Sequence, residues 1–148
     1  TRHHVGSHRM TRYLQAMVAT LALVAASAYA DGVKAVYHFN LGVAQAAAGL
    51  RNISNHLNAD PTAKIVVVGH GKGIDFLLPG AKTPNGGEFA GSIAGLAARG
   101  VEFFACNNTL KARNIDPASL PLEAKIVPSG VAEIANLQAK QGYVYVKP

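Results

Sequence analysis

The chain has 148 residues, nearly half of them apolar and only 15% charged, with a formal net charge of +6. This composition excludes a disordered polymer and suits one compact α/β domain. Residues 31–148 hold 11 of the 14 Lys and Arg and all 8 acids, a net charge of +3 without any basic stripe, so nucleic acid is not an expected partner.

From Met10 the chain reads MTRYLQAMVATLALVAASAYA. A basic start, an apolar stretch from Ala16 to Ala26 and the small-x-small pattern Ala28-Tyr29-Ala30 predict a secretory signal cleaved before Asp31. Residues 1–9 are read as a preface to that signal, so residues 1–30 are set apart from a domain at 31–148. The apolar stretch falls short of the ~20 residues of a membrane-spanning helix, so no stable membrane anchor is expected. The expected location is the bacterial periplasm.

Strand and helix signals then alternate. KAVYHFN, Lys34 to Asn40, alternates and is rich in strand formers. In the following segment Val43, Ala46, Leu50, Ile53 and Leu57 make one helical stripe, stopped by Asp60-Pro61. KIVVVGH, Lys64 to His70, is a continuous β-branched run, as in a strand buried on both faces. A short apolar piece, IDFLL, leads into a long turn-rich loop, Pro79 to Phe89. A helix from Ala90 places Ile93, Leu96 and Ala97 inward, with Gly100 as its stop. VEFFAC is the third strand, a short helix covers about Thr109 to Arg113, and KIVPS is the fourth strand. The last helix, GVAEIANLQAKQG, is read with Val131, Ile134 and Ala135 inward and Gly142 as its stop, and YVYVKP closes the sheet. Five strands alternating with helices predict a three-layer, doubly wound α/β fold with a mostly parallel sheet.

In such folds the functional crevice lies beyond the carboxyl ends of the strands. His38 and Asn40, His70, Cys106 and Ser129 all fall at those ends. Cys106 is the single cysteine, so no intrachain disulfide is possible even in an oxidising compartment. If a helix starts at Asn107 or Asn108, either a good N-cap, its free N–H groups and dipole favour the thiolate. Lys111 and Arg113 add positive charge nearby. The alternative is a packed cysteine acting as a small hydrophobe. His38 and His70 are candidates for moving protons, or are simply hydrogen-bonded strand-end residues.

Other patterns carry less. GHGKG, Gly69 to Gly73, has Gly73 where a Walker loop needs Ser or Thr, and Ile74 stands where a dinucleotide fingerprint needs its last glycine. The stretch is read as a tight turn. His38, His70 and Cys106 do not have the spacing of a compact metal motif, so neither metal nor cofactor is expected. The glycosylation patterns at Asn52 and Asn107 are read as chance.

The stretches KAVYHFN, LRNISNHLNADPTAKIVVVGHGKGIDFLL, LAARGVEFFACNNTLKARNID and KIVPSGVAEIANLQAKQGYVYVKP resemble, nearly end to end over residues 31–148, the DsrE/DsrF-like family of sulfur-relay proteins. The resemblance implies a compact three-layer α/β fold, assembly as a homo-oligomer (trimer or hexamer) and one cysteine that accepts and passes on a persulfide sulfur. The family's carrier cysteine stands at a strand end, with an arginine seven residues on that is usually followed by glycine. Cys106 and Arg113 match that spacing, and Asn114 takes the place of the glycine. The well-understood relay members are cytoplasmic, whereas this chain is expected to be exported. The function this implies is that of a sulfur carrier, a possible sulfurtransferase-type protein, between donor and acceptor proteins. The rival expectation is a non-catalytic oligomeric binding or assembly module with Cys106 packed.

Overall fold

The computed structural model describes residues 32–148; the expected signal and its cleavage site before Asp31 lie outside the described residues. Five strands, β1 (Lys34–Phe39), β2 (Lys64–Gly69), β3 (Glu102–Cys106), β4 (Ala124–Val127) and β5 (Val144–Val146), form one sheet in the order β4-β3-β2-β1-β5. Every neighbouring pair is parallel. The crossovers are made by α1 (Val43–Ala59), α2 (Ala90–Ala98), α3 (Asn107–Ala112) and α4 (Gly130–Gln141), with 3₁₀ segments at Gly71–Leu77 and Pro117–Ser119.

Handedness explains the layering. The chain steps outward from β1 to β4, then returns past β1 to place β5 at the opposite edge. Parallel crossovers are right-handed, so the outward helices share one face and the returning α4 covers the other. Two apolar clusters record this. One joins Phe39, Ile65 and Phe103 of the sheet to Ile53, Ile93 and Leu110 of α1, α2 and α3. The other packs Val36, Val66 and Val68 against Ile134 and Leu137 of α4. β2 supplies side chains to both, which is why its residues from Ile65 to Gly69 are all buried.

The carboxyl ends of the strands are held by local devices. Gln45 is buried, and its Oε1 accepts the N–H groups of Asn40 at 2.7 Å and Leu41 at 2.8 Å, stitching the turn between β1 and α1. The IDFLL stretch lies in the first 3₁₀ segment, with Ile74, Phe76 and Leu77 buried. A Cβ on Gly73 would stand 1.9 Å from the Phe39 carbonyl oxygen, so only glycine lets this segment cross the end of β1 so closely.

The structure corrects three details. The short helix begins at Asn107, not Thr109, and ends at Ala112. β4 runs Ala124–Val127, ahead of Pro128, which lacks the N–H a ladder needs. In α4 the inward residues are Gly130, Ile134 and Leu137, while Val131 is 61% exposed and Ala135 also faces out. The stripe is rotated by one residue because the helix must lay Gly130 against the sheet. The loop Pro79 to Phe89 folds back on itself through a Lys82–Glu88 bridge and ion pair, and borders a groove walled by α1 and α2. Neither Cys106 nor His70 lines that groove.

Candidate functional site

Strand alternation sends His38 of β1, His70 just past β2 and Cys106 at the end of β3 to the α4 side of the sheet. There Cys106 and His70 meet the start of α4. Ser129 is its N-cap, with Oγ accepting the Ala132 N–H at 3.3 Å, and Glu133 places a negative charge in the first turn. Gly130 follows at once. A Cβ on it would lie 3.2 Å from the Cβ atoms of both Cys106 and His70, so the missing side chain lets α4 sit directly over them.

Cys106 is 5% exposed and is itself the N-cap of α3, which puts Asn107 and Asn108 inside the helix rather than at its cap. Its side chain makes no cap hydrogen bond of conventional geometry. Burial, the largest single influence, pushes the thiol up, but the Gly130 N–H, the N–H and hydroxyl of Thr109 and the Asn108 N–H together hold it below its ordinary value. A large polarisable sulfur responds to such dipoles beyond tight cap geometry.

The expected cationic support is arranged differently. Arg113 Nη1 donates to the Gly71 carbonyl at 2.9 Å and to Asp75 Oδ1 at 2.6 Å, which ties α3 to the first 3₁₀ segment. Lys111 is exposed in the last turn of α3. Neither is among the groups that shift the thiol. Asn114 is the one non-glycine residue with positive φ, 51°, among the described residues. The Ile115 N–H reaches back to the Leu110 carbonyl at 2.9 Å, so Asn114 serves as the left-handed helix stop that glycine commonly supplies.

His38 and His70 meet through their Nε2 atoms at 2.6 Å, with rings 4.8 Å apart and 22° from parallel. At that distance one nitrogen carries the hydrogen and the other offers a lone pair, so the pair shares one proton. His38 Nδ1 also contacts the Tyr145 hydroxyl at 2.6 Å. Burial, then Lys147, then His70 lower the His38 pKa to about 4, and burial followed by Lys147 lowers that of His70. Both rings are neutral at neutral pH. Lys147 in turn bonds the Asn40 side chain. Among the described residues no three His, Cys, Asp or Glu side chains are placed to hold a metal ion.

The structure therefore brings together Cys106, His70 and His38, with Asn108 contributing through its backbone. Arg113 stands one contact removed. Sequence reasoning missed Gly130, Thr109 and Tyr145. Gly130 had a signal, a glycine directly after a Ser N-cap at a strand end, and Thr109 had a local one, three residues after Cys106 on the helix that it caps; Tyr145 joins the site only through the pairing of β5 with β1.

Among curated proteins no relative matches this chain. Its fold is similar to a solved structure described as a protein of unknown function, MTH1491, from Methanobacterium thermoautotrophicum: TM-score 0.68, 27% identity, over 78% of this chain and 99% of that one. It is also similar in fold to the ychN protein from E. coli, with TM-score 0.58 and 13% identity over 80% of this chain and 99% of that one. The sequence pattern of the DsrE/DsrF-like family matches residues 14–148, and the chain belongs to that family.

Proposed function

We propose that this protein is a sulfur carrier in which Cys106 holds a sulfane sulfur as a persulfide. The observation that carries the reading is the family to which the chain belongs, together with its single cysteine at the end of β3, capping α3 and lying under Gly130 at the start of α4, where the thiol pKa is held below its ordinary value. In the loading step the Cys106 thiolate attacks the terminal sulfur of a donor persulfide, R–S–SH. A new S–S bond forms, the donor's S–S bond breaks and R–S⁻ leaves, so Cys106 becomes Cys106–S–SH. In the unloading step an acceptor thiolate attacks that terminal sulfur and the Cys106 thiolate departs. Neither step changes the net oxidation state, so no resolving cysteine is required. The proton released when Cys106 ionises goes to solvent or to the departing donor thiolate, because the His38–His70 pair is held below its ordinary basicity and resists a further proton.

The same proposal includes export to the periplasm, supported by the sequence between Met10 and Ala30, a homo-oligomeric state, and separate donor and acceptor proteins. One observation favours a second reading. At 5% exposure Cys106 is accessible only at its edge, as a packing residue in a binding module would be.

Incubating the native protein with a persulfide donor should add ~32 Da that a reductant removes, as expected for a reversible cap on an acidic thiol. Cys106→Ser should abolish the gain and leave the fold intact. Wild-type protein that takes up neither sulfur nor alkylating agent until denatured would establish the packing role instead.

A further inference from the structure

We propose that the groove between α1 and α2 is a binding site for a small amphipathic carboxylate, its head held by Arg51 and Arg99 and its apolar body lying along the floor. The groove encloses about 680 Å³, within the ~300–1,000 Å³ of small-molecule pockets. Its floor is apolar, made by the buried side chains of Leu50, Phe89 and Leu96. The loop before α2 forms a built wall. The Thr83 N–H donates to the Gly87 carbonyl at 2.8 Å, the Gly87 N–H returns to Thr83 Oγ1 at 3.0 Å, and Lys82 pairs with Glu88.

Charge decides what kind of ligand fits. Arg51 of α1 and Arg99 at the end of α2 both line the groove; among the described residues no Asp or Glu does, and neither arginine is in an ion pair. Arg99 Nη2 donates to Asn58 Oδ1 at 2.9 Å and Nη1 reaches Ser54 Oγ at 3.5 Å, so neutral partners orient its guanidinium without cancelling its charge. A guanidinium carries five N–H donors, and these two contacts leave three for an anion. Ser54 lies one turn beyond Arg51 on α1, so both positive groups fall along one stretch of the groove. The planar fork of arginine matches a head with two oxygens.

Gly95 keeps room for the ligand's body. It lies inside α2, where alanine is the better helix former, and a Cβ there would meet nothing within 4 Å. The chain's own packing does not require glycine at this position; with Ala44 and Ala47 on the α1 wall, it leaves the groove open. The groove belongs to the α1 and α2 side of the sheet, away from Cys106 and His70, so the site stands whether or not Cys106 carries sulfur.

Calorimetric titration of the full chain with octanoate, and with 1-octanol as its neutral counterpart, tests the site. Octanoate should bind at least about tenfold more tightly than octanol, as hydrogen bonds to a charged group predict. Arg51→Gln and Arg99→Gln should each weaken octanoate about tenfold and leave octanol unchanged. Gly95→Leu should weaken both probes by filling the groove; the arginine variants change only exposed side chains and keep the test decisive if the leucine variant does not fold. Cys106→Ser should bind octanoate as the wild type does. A native chain that takes up no octanoate at millimolar concentration, equal affinity for the two probes, arginine variants with wild-type affinity, or loss of binding in Cys106→Ser would each overturn the inference. So would a wild-type oligomer that binds no octanoate and that Gly95→Leu dissociates, which would give the groove to a second copy of the chain.

Discussion

Two imidazoles joined through Nε2 at 2.6 Å tolerate one shared proton and resist a second, because the added hydrogen would face another N–H. An unfolded histidine titrates near 6.5, roughly, whereas burial, Lys147 and His70 bring His38 to about 4 in the fold. Between those values the unfolded chain binds a proton that the folded chain does not. Stability therefore falls as pH drops from about 6.5 to about 4 and levels off below, and His70, shifted in the same direction, adds to the loss. The urea midpoint should be lower at about pH 5 than at about pH 7, and His70→Gln should flatten the difference. A midpoint independent of pH over that range would contradict the shared-proton geometry. At this scale the sequence showed which residues lie at strand ends but not which would touch. Tyr145 and His38 are 107 positions apart and meet only because β5 returns beside β1.

The N-terminus of α4 is where one methyl group should matter most. Gly130→Ala would place that methyl 3.2 Å from two Cβ atoms on rigid strand ends, and the neighbours there have little room to give. Overpacking of this kind costs about 1–3 kcal/mol, and the displaced helix would carry its N–H away from the sulfur. Urea denaturation should show the loss and thiol alkylation should slow; a variant with wild-type stability and reactivity would mean the contact is slack. The end of α3 offers the opposite case. Asn114→Gly should leave stability unchanged or raise it slightly, while Asn114→Ala should cost about 1 kcal/mol, since only the alanine is strained at positive φ. Equal unfolding midpoints for the two variants would argue against the helix-stop role.

At the scale of the sheet, β4 and β5 form its two edges among the described residues, and several apolar side chains stand out near them, among them Leu122, Ile126 and Val144. Exposed apolar surface beside an unpaired strand is a ready contact for another chain. This supports the proposed homo-oligomer. Light scattering of residues 31–148 at micromolar concentration should give a mass several times that of one chain. A strict monomer would remove self-association from the proposal and leave those edges without a partner.

The number of strands and their parallel order were legible because strand and helix periodicities alternate cleanly. β2 is apolar on every residue after Lys64, as only a central strand can be, and the stripe from Ala46 to Leu57 left α1 one way to face. The strand-end position of Cys106 was legible for the same reason. What local pattern could not supply was the rotation of α4, in which Val131 and Ile134 look equally suited to the core. Packing chose Gly130, Ile134 and Leu137, with the side-chain-free residue where the helix lies closest over Cys106 and His70. Nor could it foretell the partner of Arg113, whose charge lies near Cys106 in sequence but is spent on Asp75 and Gly71, 38 and 42 positions away. Periodicity reports how a segment divides between core and solvent. Which distant groups then meet at hydrogen-bond distance depends on the crossovers, and those exist only once the sheet has assembled.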